Sequence, residues 1–218
     1  MISTRDLTGL PDIEGLRKLS KSLAMLDAII SPEWEFRYYS FNSKWSQGEE
    51  MASMRNGSGD DYFLLFTAAG AILKGFAHES PMSPYRHRPR KLWDGLLDNV
   101  PKEFASFLTE PAFSIEFTTF CIWRTHADKT WQCGKIDFPE RDDPDGSKDL
   151  LFILDGNPRT YTAWAREYYE EKISIRAVRE IYAHRPLTAE LIGKLNPDLS
   201  LSELEEDIEE IGWLGTSV

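Results

Sequence analysis

Residues 61–85, DYFLLFTAAGAILKGFAHESPMSPY, constrain the fold more than any other part of this chain. Two runs rich in aromatic and aliphatic residues, 61–67 and 71–78, flank an Ala-Ala-Gly step. Gly70 can adopt the positive φ that a tight turn between antiparallel strands often needs. The segment therefore predicts a β-hairpin whose second strand ends at His78.

A second pair of strands is predicted further along the chain. Residues 115–125 and 131–138 are rich in aromatic and aliphatic side chains, and the polar sequence HADKT separates them. Residues 33–41, EWEFRYYSF, have the aromatic composition of another strand. Residues 42–60 contain three glycines and show little apolar periodicity, which indicates a long loop.

Helices are predicted on both sides of these strands. Apolar residues recur at helical spacing over 16–30, and Pro32 ends that segment. The last third of the chain carries helix-start signals, such as Asn157 followed by proline. We predict short helices over 92–99 and 102–108, helices over 159–171, 175–184 and 189–195, and a last helix with a capping box of Ser202 and Glu205.

The order of these elements sets the fold class. Strands cluster early and helices late, without the alternation that is typical of a parallel sheet. We therefore predict an α+β fold, with a mainly antiparallel sheet built from two strand pairs and with helices concentrated in the C-terminal third. Residues 1–218 are expected to form a single domain, sheet-rich over 33–138 and helical over 147–214.

Composition limits the classes of protein that fit. Hydrophobic residues make up 41% of the chain and aromatic residues 12%, which favours a packed core over disorder. The apolar runs are far shorter than a bilayer-spanning helix, and the N-terminus lacks the apolar segment of a signal peptide. Cys121 and Cys133 are too few for a secreted disulfide scaffold, so we expect two free thiols in a reducing cytoplasm.

Charge is unevenly distributed along the chain. The net charge is −11; residues 1–100 hold 12 basic and 13 acidic residues, whereas residues 101–218 hold 13 and 23. The densest acidic block is 203–210, ELEEDIEE. Because phosphate backbones attract basic surfaces, no nucleic-acid partner is expected. The charge fits a basic partner protein, although the same charge also keeps a protein soluble.

His78 and Glu79 stand just past the end of the predicted hairpin. A histidine oriented by a carboxylate is a typical general base. Adjacent strand residues point to opposite faces, so the two cooperate only if the chain turns at Glu79, which Pro81 favours. Tyr85 follows this turn and belongs to the same candidate pocket. The alternative is that His78 ends the strand and Glu79 is solvated.

No metal or cofactor is predicted. Cys121, His126 and Cys133 lack the closely spaced cysteine pair and the fourth ligand of a zinc site. The acidic loop 142–149 has an arginine and a phenylalanine where an EF-hand aligned on its glycine would need acids, which favours a solvated turn. Neither a phosphate-binding loop nor a dinucleotide fingerprint is present, so nucleotide cofactors are not supported.

Three segments carry a resemblance to known proteins: 48–63, GEEMASMRNGSGDDYF; 74–85, KGFAHESPMSPY; and 100–113, VPKEFASFLTEPAF. They resemble a group of uncharacterised bacterial proteins of similar length. Residues 100–108 are also similar to the apolar-Pro-x-x-aromatic-x-x-Phe-Leu turn of the SUKH superfamily, which includes cell-wall regulators and toxin-immunity proteins. After Leu108 this chain has Thr-Glu-Pro instead of an Asn-Gly step. The first resemblance implies a bacterial protein and no particular activity, and the similarity to the SUKH superfamily implies an immunity-like binding role.

The sequence therefore favours a non-catalytic protein-binding module. Acidic residues steer a basic partner, and exposed apolar residues supply the anchors that dominate interfaces. The expected contact residues are Trp45, Met54, Glu205, Glu206 and Glu209. The alternative is a small hydrolase or transferase that uses a pocket near His78, Glu79 and Tyr85.

Overall fold

An antiparallel sheet forms the centre of the protein, and its six strands lie side by side in chain order. The computed structural model describes residues 1–170 and 172–213. Every neighbouring pair is antiparallel, so each connection joins two strand ends that lie at the same end of the sheet. The strands are β1 (Tyr39–Ser46), β2 (Glu49–Arg55), β3 (Asp61–Thr67), β4 (Gly70–Phe76), β5 (Phe120–Thr125) and β6 (Gln132–Cys133).

The hairpin predicted from 61–85 is confirmed as β3 and β4. Its register pairs Asp61 with Phe76 at one end and Thr67 with Gly70 at the other. Gly70 has a φ of 149°, and a Cβ atom there would lie 2.2 Å from the carbonyl oxygen of Arg124. Glycine is therefore required both by the turn and by the close approach of β5.

The sheet divides the core into two layers because successive strand residues point to opposite faces. Tyr62, Leu64 and Phe66 of β3 belong to the larger apolar cluster, on the face that the long N-terminal helix and the C-terminal helices cover. Leu65 of β3 belongs to a smaller cluster on the other face. The irregular segment that precedes β5 covers this second face with Phe104, Phe107 and Phe113.

Four of the α-helices in the described part of the chain begin at a side chain that accepts a backbone N–H group. Asp12 accepts from Gly15 at 2.7 Å, and Asn157 accepts from Arg159 at 3.0 Å. Such caps satisfy donors that have no partner inside the helix. Among the described residues the α-helices are α1 (Ile13–Ile30), α2 (Ala105–Thr109), α3 (Ser147–Leu151), α4 (Pro158–Tyr168), α5 (Ile175–Tyr182), α6 (Ala189–Gly193) and α7 (Glu205–Ile211).

The predicted α+β class with an antiparallel sheet is confirmed, but the sheet contains more strands than the two predicted pairs. Residues 42–60, predicted as a loop, instead hold most of the β1–β2 hairpin, which turns at Gly48 with a φ of 77°. β1 is an edge strand, and its second half carries polar side chains of intermediate or high exposure. A strand of this kind lacks the apolar alternation on which the prediction relied.

Several predicted boundaries also move. Only two residues of 131–138 pair with β5, and 92–99 form turns without a helix. The last capping box uses Ser200 and Glu203 instead of Ser202 and Glu205. The longest helix, α1, lies at the N-terminus, so helices are not confined to the last third. The predicted helix over 159–171 ends at Tyr168, and residues 171 and 214 lie outside the described residues.

None of the helices in the described part of the chain is long and apolar enough to span a membrane. Cys121 is buried and Cys133 is half-buried, and both are free. Burial raises the pKa of Cys121 to about 12, so this thiol is protonated and weakly nucleophilic at neutral pH.

Candidate functional site

Three large aromatic side chains are exposed at one corner of the protein. Trp34 is 52% exposed, Phe36 is 60% exposed and Tyr168 is 45% exposed. Trp34 and Phe36 lie on a 3-10 turn that precedes β1 and contains no buried residue, and Tyr168 lies at the end of α4. These three residues are called the aromatic corner. Large aromatic residues are normally buried, so a cluster on the surface indicates a contact site.

Side chains from three elements hold the aromatic corner together. The guanidinium of Arg55 lies 4.1 Å from the centre of the Trp34 ring. The backbone N–H of Arg55 donates to the carbonyl of Tyr38 at 2.9 Å. The Tyr38 ring contacts the rings of Tyr168 at 5.1 Å and Trp164 at 4.8 Å, both edge-on. Trp34 and Tyr168 are therefore held in place before any partner arrives, which lowers the entropy cost of binding.

A buried carboxylate supports the corner from below. Asp27 of α1 is fully buried and accepts the backbone N–H groups of Tyr38 at 2.9 Å and Tyr39 at 2.7 Å. It also accepts the hydroxyl of Tyr161 of α4 at 3.1 Å. Burial raises the pKa of Asp27 to about 6, although these hydrogen bonds oppose the shift. One side chain thus joins the two elements that carry the aromatic corner.

Arg37 connects the aromatic corner to the acidic helix α7. Its guanidinium donates to both carboxylate oxygens of Asp207, and both side chains are largely buried. It also donates to the carbonyls of Pro32 at 2.6 Å and Ser31 at 3.1 Å. Fixing Arg37 in this way sets α7 beside the turn that bears Trp34 and Phe36. The exposed carboxylates of α7 are those of Glu205, Glu206, Glu209 and Glu210. These four residues are called the acidic rim.

Two of the predicted contact residues lie elsewhere. Met54 is 1% exposed, because its position opposite Tyr39 in the β1–β2 register turns it toward the helix-covered face. The prediction of Met54 as an exposed anchor was wrong. Trp45 is half-buried and stacks on Phe113 at 5.5 Å, so it packs against the second core cluster. Glu205 and Glu206 are exposed as expected, and Glu209 is exposed but pairs with Lys44 at 2.7 Å.

The structure also brings His78, Glu79 and Tyr85 together in an open pocket of about 390 Å³. His78 Nδ1 lies 2.8 Å from Asp60 Oδ1, and His78 Nε2 lies 3.3 Å from Glu79 Oε1. Asp60 also accepts the backbone N–H of His78 at 2.8 Å, which fixes the carboxylate against the ring. The imidazole is therefore oriented between two carboxylates.

The rest of this pocket is aromatic and cationic. Arg86 donates to Glu79 at 3.0 Å, and Tyr85 is 50% exposed and stacks on Phe117 at 5.5 Å. The guanidinium of Arg90 covers the Tyr85 ring at 4.2 Å. The sequence prediction found His78, Glu79 and Tyr85 but missed Asp60. The hairpin register contains the signal, because pairing of residues 61 and 76 places residue 60 next to the strand end that leads to His78.

No group of three or more His, Cys, Asp or Glu side chains in the described ranges is arranged to hold a metal ion. Buried and half-buried acidic side chains of loop 142–149 accept hydrogen bonds, mostly from groups of the loop itself. The loop is therefore not the solvated turn that was expected. Asp145 is 1% exposed and accepts the backbone N–H and the hydroxyl of Ser147 at 3.0 and 2.6 Å, as well as the hydroxyl of Thr4. Asp143 accepts the backbone N–H of Lys148 at 3.1 Å.

Comparison with known proteins identifies no family. No family model, no curated protein and no solved structure matches the chain. The resemblance of 100–108 to the SUKH superfamily therefore stays a prediction, and the function has to be argued from the geometry of these surfaces.

Proposed function

We propose that this protein is a non-catalytic, immunity-like binding module that recognises a basic partner protein through the aromatic corner and the adjacent acidic rim. The observation that carries the proposal is the link through Arg37. This side chain lies directly after the 3-10 turn and bonds Asp207 of α7, so apolar anchors and acidic charge share one surface. Tryptophan and tyrosine anchors beside a charged rim are the usual composition of a specific interface.

Charge supports the choice of a basic partner. The chain has a net charge of −11, and α7 carries five acidic residues within Glu205–Ile211. Opposite charge on the partner would steer the encounter, and this effect is screened as salt rises. Carboxylates at the rim stay partly hydrated, so they contribute more to association rate and selectivity than to affinity. The aromatic corner would supply most of the affinity.

Capture experiments with matched variants test this proposal. The double variant Trp34→Ala and Tyr168→Ala removes two anchors, whereas Tyr85→Ala removes a similarly exposed aromatic at the His78 pocket. Proteins retained by the wild type and by Tyr85→Ala, but lost with the double variant, should be basic. Equal capture by all three proteins, or selective loss with Tyr85→Ala, would contradict the proposal.

A second candidate function is supported by the Asp60–His78 pair. A carboxylate on Nδ1 orients an imidazole so that Nε2 faces the pocket, the arrangement of a general base. In a hydrolysis, Nε2 would accept a proton from water while the water oxygen attacks an ester or amide carbonyl, and would return it to the leaving group. Glu79 would first have to turn from Nε2 toward Arg86. This requirement places the enzymatic reading second.

A screen of ester and amide substrates separates the two candidates. Turnover that His78→Ala and Asp60→Asn abolish, with an unchanged melting temperature, would establish the catalytic reading and overturn the non-catalytic one. His87→Ala is the matched control, because His87 lies outside the set of residues that line this pocket. The binding proposal predicts no turnover that depends on these residues.

A further inference from the structure

A separate pocket of about 450 Å³ lies at the opposite end of the strands. β5 begins at the end of the sheet that holds the aromatic corner, and this pocket lies where β5 ends at Arg124 and Thr125. Its walls come from the N-terminal segment 4–10 and from the segment 129–133 that leads into β6. Its size falls in the range of about 300–1,000 Å³ that is typical of small-molecule sites.

The charge of this pocket is opposite to that of the whole protein. Arg5, Arg124 and Lys129 line it, and Asp6 is the single carboxylate among the lining residues. Asp6 Oδ1 accepts the hydroxyl and the backbone N–H of Thr8 at 2.6 and 3.1 Å, and these hydrogen bonds lower the pKa of the Asp6 carboxyl. In a chain of net charge −11, this pocket is a local excess of positive charge, which favours an anionic ligand.

Two of these cations keep donors free for a ligand. Within the described residues, neither Arg124 nor Lys129 has a carboxylate oxygen within 4.0 Å. In the hydrogen bonds of that same part of the chain, Arg124 donates only from Nε, to the carbonyl of Asp128 at 3.3 Å. Arg5 differs, because it donates to the carbonyls of Arg141 at 2.6 Å and Asp142 at 3.3 Å and therefore contributes mainly its charge.

The turn between Arg124 and Lys129 is rigid. The Asp128 carboxylate accepts the backbone N–H of Thr125 at 2.9 Å and its hydroxyl at 2.7 Å. Both bonds go to Asp128 Oδ2 and hold it on the turn, which has Arg124 on one side and Lys129 on the other. Trp131 follows, 5% exposed, with its indole N–H fixed on the carbonyl of Pro11 at 2.7 Å. The cations are therefore presented beside a fixed apolar wall, to which Leu7 and Leu10 also belong.

We propose that this pocket binds a small organic anion, in which a carboxylate or phosphate group meets Arg124 and Lys129 while a short apolar body packs on Leu7, Leu10 and Trp131. Guanidinium and ammonium groups form their strongest hydrogen bonds with such oxygen anions. The proposal uses no residue of the aromatic corner or of the acidic rim, so it stands or fails independently of the proposed function.

Titrations of the full chain with butyrate, inorganic phosphate and uncharged butyramide test the site, with backbone amide shifts in an NMR spectrum as the readout. We expect saturable shifts around Thr8, Lys129 and Gln132 with one or both anions and none with butyramide. The stronger of the two anions identifies the headgroup. Lys129→Gln should weaken binding about tenfold, the loss expected for one charge-assisted hydrogen bond.

Lys102→Gln is the matched control, because Lys102 is exposed and does not line the pocket. Arg124→Gln should abolish binding, and Lys129→Gln keeps the test valid if that first variant is unstable. Equal binding of butyramide and butyrate, binding unchanged by Lys129→Gln, shifts scattered over the surface or no saturable shift with either anion would each overturn the proposal.

Discussion

The carboxylate of Asp27 accepts the backbone N–H of Tyr39 at 2.7 Å, and this hydrogen bond connects helix α1 to the segment next to the aromatic corner. Asp27 lies near the end of α1, and Tyr39 is the first residue of the edge strand β1. The same carboxylate holds Tyr161 of α4, the helix that ends at Tyr168. The position of the aromatic corner therefore depends on a charge buried beneath it.

The first prediction concerns pH and Asp27→Asn, which keeps an acceptor but removes the charge. The pKa of Asp27 is about 6 in the folded protein against 3.8 for the unfolded reference. Its contribution to stability is complete below 3.8 and is lost as pH rises through about 6, because the unfolded state ionises first. The unfolding free energy of the wild type relative to Asp27→Asn should fall by about 3 kcal/mol over this interval.

Urea unfolding at several pH values checks this prediction. Taking the difference between the two proteins cancels the carboxyl groups that they share. A difference that stays flat, or that grows as pH rises, would show that burial does not raise the pKa of Asp27 in the folded protein.

The second prediction concerns Arg37→Met. This change leaves Asp207 largely buried without its partner and frees the carbonyls of Ser31 and Pro32. Removing one partner of a buried ion pair costs about 3–5 kcal/mol, and partial exposure should bring the loss here to about 2–3 kcal/mol. The control is Lys44→Met, because Lys44 and Glu209 form an exposed pair whose loss should leave the melting temperature unchanged. Similar losses in both variants would argue against the link through Arg37.

The third prediction concerns Gly70→Ala. A Cβ atom at this position would lie 2.2 Å from the Arg124 carbonyl oxygen and 2.7 Å from the Thr125 Cα atom, both in β5. Neither backbone atom can move without breaking the β4–β5 pairing, so the variant should lose about 3 kcal/mol or more of stability. Gly48→Ala, also at positive φ but with no atom of the described residues within 4 Å of the added Cβ, should lose about 1 kcal/mol. Thermal unfolding of both variants measures the contrast.

The fourth prediction concerns the two thiols. Burial raises the pKa of Cys121 to about 12 and also raises that of the half-buried Cys133. In the folded protein, a thiol reagent should label Cys133 slowly and Cys121 more slowly still. Both should react at once under denaturing, non-reducing conditions. Two thiols that remain unreactive after denaturation would show that they form a disulfide.

The sequence predicted those parts of the fold that follow local rules. Regular apolar spacing located α1, and the Ala-Ala-Gly step located the β3–β4 hairpin. The strand predicted over 33–41 coincides with β1 only at residues 39–41, because Trp34 and Phe36 lie on an exposed 3-10 turn. The second half of β1 was missed because an edge strand with a polar side lacks apolar alternation. No local pattern reports the exposure of Trp34 and Phe36, because the burial of a side chain is set by tertiary packing.

The residues of the candidate sites also fall into those that local sequence patterns predict and those that depend on distant partners. His78 and Glu79 were found because they follow a strand that the sequence predicts well. Arg37 was missed because its role depends on Asp207, which is 170 residues away in the chain. Met54 was placed on the surface because its strand had been taken for a loop, and the strand register turns it inward. Side chains that act through distant partners need the tertiary structure before a role can be assigned.

The fifth prediction concerns the acidic rim. Reversing Glu205, Glu206 and Glu209 to Lys should slow association with a captured basic partner about tenfold or more at low salt, because exposed charges steer the encounter. The difference should shrink as salt is raised to about 1 M, where screening shortens the reach of each charge to about 3 Å. Stopped-flow association rates at several salt concentrations measure the effect. An unchanged rate at low salt would remove the acidic rim from the interface.

The most direct test of the binding surface is hydrogen exchange of the protein alone and in complex with the captured partner. We expect slower exchange in three separate segments, 33–38, 164–169 and 203–211, because one partner would cover the aromatic corner and the acidic rim together. Exchange around the His78 pocket, 77–86, should stay unchanged. Slower exchange confined to 77–86, with none in the three segments, would show that the partner binds at the His78 pocket and not at the aromatic corner.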